Sequence, residues 1–127
     1  MEINLPDVVA VVEAAFARYE AALISNDLAV LDSCFWDSAQ VIRYGMNENL
    51  YGAAEIAAFR AARPSFGLMR TLSRTVITTF GRDYATASTQ FHRDTAPGKI
   101  GRQMQTWVRL PEGWRVVAAH VSLINAP

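Results

Sequence analysis

The sequence predicts an α+β fold. Helical periodicity dominates its first half. Its second half holds four long segments rich in Thr, Val, Ile and aromatic residues. The links between those four are too short for anything but antiparallel neighbours. The expected architecture is three N-terminal helices packed on a strongly curved, mostly antiparallel sheet. With 127 residues, the chain is expected to form one domain, residues 1–127, since domains most often run about 100–150 residues.

Each element has a local cause. Val8, Val12, Phe16, Tyr19 and Leu23 recur at helical spacing, which predicts an amphipathic helix over the first 25 residues. Asn4 is the expected N-cap, with Pro6 and Asp7 suited to the first turn. Asn26 can take a left-handed cap, and Asp27 can cap a short second helix over Leu28–Phe35. Val41–Tyr44 and Leu50–Gly52 read as strands around a turn at 46–49. Ala53–Arg63 reads as a third helix, stopped by Pro64. Met69–Phe80, Tyr84–Arg93, Ile100–Leu110 and Trp114–Ile124 then form the meander.

Several classes are excluded. Twelve basic and twelve acidic side chains cancel, so no whole-protein field draws nucleic acid or an anionic membrane. No apolar run reaches the roughly 18 residues of a membrane span. The opening Met1-Glu2-Ile3-Asn4 lacks a basic signal-peptide start, so the cytoplasm is the expected compartment. The single cysteine, Cys34, rules out an internal disulfide and reads as a small core residue. No phosphate loop, HExxH or GxSxG pattern occurs. His92 and His120, expected on opposite faces, make no metal site, and no cofactor is called for. Of the twelve basic residues eleven are arginine. Coding bias accounts for that, and so does a set of bidentate anion clamps.

Strand parity selects candidate site residues. With Pro111 and Glu112 at the turn centre, Trp107 pairs with Val116, Gln105 with Ala118 and Gln103 with His120. One face of that hairpin then carries Gln103, Gln105, Trp107, His120 and Ser122. Such a mixture suits a ligand pocket, and it equally suits a solvated sheet face. On the preceding hairpin the odd positions, Thr75 to Phe91, are expected to face the helices. Arg70, Arg74 and His92 would then point outward. Arg43 lies in a strand apolar on both parities. It therefore needs a carboxylate, from a ligand or from a helix residue such as Glu20 or Glu13. Tyr19 lies on the apolar stripe of the first helix, pointing inward, either as an ordinary core tyrosine or as a proton donor.

The layout resembles the NTF2-like, or SnoaL-like, α+β cone, and Gly113–Ser122 resembles that superfamily's closing strand. Ile42-Arg43-Tyr44-Gly45, Glu48–Gly52, Phe59–Pro64, Arg74–Thr79 and Gly101–Trp107 together resemble one family within it, the HpxZ-like or AtzH-like proteins of oxalurate and triazine catabolism. The resemblance implies bacterial breakdown of small ureido compounds beside an amidase-signature hydrolase. It implies a decarboxylating amidohydrolase that converts 1,3-dicarboxyurea to allophanate. The family's tyrosine on the first helix and arginine on the first strand fall on Tyr19 and Arg43 here. Gln103, Gln105, Trp107, His120 and Ser122 would line the substrate site, with Asn47 and Glu48 at its rim. The substrate would be a small anionic ureide, and the outer sheet face suggests a homodimer. A non-catalytic protein supporting a partner amidase, and an isomerase or dehydratase of the same superfamily, remain alternatives.

Overall fold

The computed structural model describes residues Met1–Pro127. Helices α1 (Pro6–Ser25) and α2 (Leu28–Ser33) are followed by strands β1 (Ile42–Tyr44) and β2 (Asn49–Tyr51). Helix α3 (Ala53–Ala62) comes next, then β3 (Thr71–Phe80), β4 (Tyr84–His92), β5 (Lys99–Leu110) and β6 (Gly113–Asn125). The six strands form one sheet in the order β2-β1-β6-β5-β4-β3. Every pairing is antiparallel except that of β1 with β6. The helices cover the concave face. There Val8, Val12, Phe16, Tyr19 and Leu23 of α1 join Leu31, Phe35, Ile56, Trp107 and Val116 in the core.

The junction between the first two helices forms as the residue types require. Asn26 ends α1 in the left-handed region at φ 53°, and the Asp27 carboxylate accepts from the Val30 N–H. Asn4 does not cap α1. It adopts φ 58°, and its Oδ1 accepts from Thr79 N–H at 2.9 Å. Its own N–H donates to the Thr79 carbonyl at 3.0 Å. Asn4 thus ties the N-terminal segment to β3, the edge strand, and occupies ladder groups that would otherwise lie open to another chain.

Two irregularities decide which side chains reach the concave face. The β5–β6 register holds from Leu110↔Gly113 to Trp107↔Val116, then jumps to Thr106↔Ala118. Val117 is the extra residue of a bulge. Gln105 therefore pairs with Ala119 and Gln103 with Val121, one residue beyond the partners that simple counting predicts. Ala119 and Val121 turn inward, while His120 and Ser122 turn outward. The second shift lies between Ser73 and Val76, where Arg74 sits at φ 52°. It reverses parity at the start of β3. Arg70 and Leu72 point in, against the outward placement expected for Arg70. Beyond the bulge the expected parity returns, and Ala85, Ala87, Thr89 and Phe91 are buried.

Candidate functional site

A cavity of about 630 Å³ opens between α1, α3, the 45–48 turn and the concave sheet. Leu23, Phe59, Leu68, Phe91 and Val121 supply apolar walls. Tyr19 reaches it from α1 because the stripe that packs the helix also aims the phenol at the sheet. Its residue is 5% exposed, its ring lies 6.2 Å from that of Phe35, and its hydroxyl makes no hydrogen bond to the protein.

The polar lining is dominated by arginine: Arg43, Arg60, Arg63, Arg70 and Arg93 all face the cavity, with Lys99 at its edge. Three of these have protein carboxylates. Arg43 Nη1 donates to Glu48 Oε1 at 2.9 Å, and the other Glu48 oxygen accepts from Asn47 N–H at 3.1 Å. Arg60 Nη1 donates to Asp32 at 3.0 Å. Arg70 grips Glu20 with both forks, at 2.9 and 2.6 Å, and donates to Gln103 Oε1 at 3.1 Å. The carboxylate for Arg43 is thus the nearby Glu48, while Glu20 belongs to Arg70. Gly45 leaves room for the Arg43–Glu48 pair, since a Cβ there would lie 1.8 Å from Glu48 Oε1.

Arg63 and Arg93 differ in having no carboxylate, although Arg60 Nη2 is likewise buried without an acceptor. Each carries a buried Nε with no acceptor, and Arg63 has a buried Nη2 in the same state. Burial, reinforced by repulsion from the neighbouring arginines, holds both guanidiniums below the usual arginine pKa. Pro64 forces Arg63 into extended backbone at the end of α3 (φ −75°, ψ 154°), at the mouth of the cavity. Arg93 lies 4.7 Å from the Phe91 ring centroid and Arg70 lies 4.6 Å from it. That ring in turn lies against Gly101, where a Cβ would come within 2.1 Å of it.

The sequence matches the AtzH-like family over residues 1–127. This chain belongs to the AtzH-like family. A protein of unknown function from Pectobacterium atrosepticum is 63% identical, with a TM-score of 0.94 over 97% of this chain and 95% of that one. A cystatin-like fold protein from Burkholderia xenovorans is 50% identical, with a TM-score of 0.96 over 100% and 99% of the two chains. At 19% identity, a protein provisionally assigned as a dehydratase of the NTF2-like family from Streptomyces avermitilis shares the fold, with a TM-score of 0.76 over 95% and 99%. No curated protein matches the sequence.

Of the residues singled out from sequence, the AtzH-like cavity brings together Tyr19, Arg43, Asn47, Glu48 and Gln103. Gln103 Nε2 is buried without a partner and is available to a ligand. Gln105 and Trp107 share the inner face but lie deeper in the core, where Trp107 Nε1 donates to Gln105 Oε1 at 3.1 Å. His120 and Ser122 lie on the outer face because of the Val117 bulge. His120 stacks edge-on against Tyr44 at 6.3 Å, and Ser122 accepts from Arg102 at 3.2 Å. Sequence reasoning missed Arg60, Arg63, Arg70, Arg93 and Phe91. The bias to arginine was the available signal, but only position separates a clamp from a surface cation.

Proposed function

We propose that this AtzH-like protein is a decarboxylating amidohydrolase of small anionic ureides, with 1,3-dicarboxyurea as substrate and allophanate as product. The observation that carries this reading is a buried phenol, Tyr19, without a protein hydrogen-bond partner, in the same arginine-lined cavity as Arg43. An N-carboxylated urea loses carbon dioxide as its nitrogen gains one proton. The N–C bond breaks, the carboxylate leaves as CO₂, and the electron pair on nitrogen takes the Tyr19 proton. The phenolate formed lies in the field of Arg60, Arg63 and Arg93, and water returns the proton. Arg43 spends only Nη1 on Glu48, so its remaining N–H groups hold a substrate carboxylate in place. Gln103 Nε2 suits the urea carbonyl, and Asn47 and Glu48 close the rim.

The test is CO₂ release from freshly generated 1,3-dicarboxyurea, corrected for spontaneous decay. Wild type accelerates release, and Tyr19→Phe and Arg43→Ala both lose the acceleration. Acceleration that survives in both variants overturns the assigned site, and none in wild type overturns the substrate. Binding without turnover would favour a role in support of a partner amidase. A homodimer through the outer sheet face is proposed on the exposed cross-strand row Val76, Met104, His120 and Tyr44, and sedimentation velocity tests it.

A further inference from the structure

We infer that Arg63 and Arg93 form a second anion subsite, separate from Arg43, that holds the carboxylate the reaction leaves in place. Which end reacts rests on the reading above; the existence of the subsite does not.

The charges around the cavity do not balance. Six cations (Arg43, Arg60, Arg63, Arg70, Arg93 and Lys99) line it. The carboxylates paired with them number three, Glu48, Asp32 and Glu20. This excess sits in a chain whose overall formal charge is zero, so it is local to the cavity. It falls on two guanidiniums in particular. Neither Arg63 nor Arg93 forms an ion pair or a side-chain hydrogen bond, and three of their nitrogens are buried without an acceptor. Buried N–H donors in folded proteins almost always have partners, and although both residues are only half-buried, these three nitrogens are shut off from water without one. Asp94, next to Arg93 in the chain, is paired with neither.

Arg93 is held against the Phe91 ring, and Arg63 leaves the chain from backbone that Pro64 keeps extended. They come from separate parts of the chain, both face the same cavity, and Arg93 feels the charge of Arg63. Two guanidiniums facing one cavity with free N–H groups suit a carboxylate, which accepts from two donors at once. Arg43 already shares its charge with Glu48. A substrate with two carboxylates would engage both places. When one of them leaves as CO₂, the product keeps only the Arg63/Arg93 contacts and dissociates more readily than the substrate.

The test is calorimetric titration of the wild-type protein with malonate, succinate and glutarate against acetate. The best dicarboxylate is expected to bind at least tenfold more tightly than acetate. Arg63→Met and Arg93→Met should each lose at least tenfold of that affinity. Their ligand-free melting temperatures should equal or exceed that of wild type, because an unpaired cation has gone. Unchanged dicarboxylate affinity in both variants overturns the subsite, as does a fall in ligand-free melting temperature in both. The substrate reading is separable by CO₂ release. Dicarboxylate binding that needs Arg63 and Arg93, without any turnover of 1,3-dicarboxyurea, supports the subsite and sinks that substrate. Turnover with KM unchanged in both variants overturns the subsite and keeps the substrate.

Discussion

Glu20→Gln removes the carboxylate that Arg70 grips with both forks. Arg70 is then left beside four other arginines, and the remaining carboxylates of the site, Glu48 and Asp32, are already engaged. Breaking a buried pair by removing one partner costs about 3–5 kcal/mol. The Arg70 side chain is 1% exposed but that of Glu20 is 13% exposed, which places the cost at the lower end, about 3 kcal/mol. For a chain of this length the unfolding entropy is about 0.27 kcal/mol/K, so the melting temperature should fall by about 11 °C. Arg70→Met should cost less than half as much, because Glu20 would remain attracted to Arg93. Thermal unfolding by circular dichroism at pH 7 and low salt reads both variants. A loss below about 1 kcal/mol in Glu20→Gln, or a larger loss in Arg70→Met, refutes the reasoning.

Gly45→Ala should push the Glu48 carboxylate off Arg43 while keeping the fold, since the clash is with a flexible side-chain end. The pair is partly buried, with side chains 13% and 20% exposed, so parting it should cost about 1.5–3 kcal/mol, and titration should show tighter dicarboxylate binding. Gly101→Ala should cost about 1–3 kcal/mol in chemical denaturation, because the Phe91 ring must move. It should weaken anion binding too, as Arg70 and Arg93 both rest near that ring. Burial raises the Cys34 thiol above its ordinary value of 9.0. With the folded value above the unfolded one, the stability it contributes is present below pH 9 and is lost as pH rises beyond it. Unfolding curves across that range should show the decline, and a thiol reagent at pH 8 should label Cys34 only after unfolding. His120→Ala and Ser122→Ala should leave CO₂ release at the wild-type rate.

Much of the fold was legible because its causes are local. The α1 stripe, the Asn26–Asp27 junction, the Pro64 stop and the turn at Pro111-Glu112 depend on neighbouring residues alone. Tyr19 and Arg43 were legible for the same reason, one from helical periodicity and one from a cation in an apolar strand. The parity argument failed at His120 and Ser122 on one side and at Arg70 on the other. A single inserted residue reverses every side chain beyond it, and neither Val117 nor Arg74 carries a residue-type signal of a bulge. The strand carrying Arg43 was also less buried than its apolar flanks suggested. β1 pairs with β6 and β2 for only three residues, and Tyr44 faces outward at 36% exposure.

The sequence by itself determined the class of fold, the helix and strand spans to within a few residues, and the abundance of arginine over lysine. Those follow from periodicity, caps and composition, which are properties of short stretches of chain. Tertiary structure decided which arginines share a cavity, which of them have carboxylates, and which two do not. Arg43, Arg63 and Arg93 are separated by 20 and 30 positions, on three elements. They line one cavity because the fold brings β1, the end of α3 and the end of β4 to it. Charge balance at a site is a sum over residues distant in sequence, and only the folded chain performs that sum.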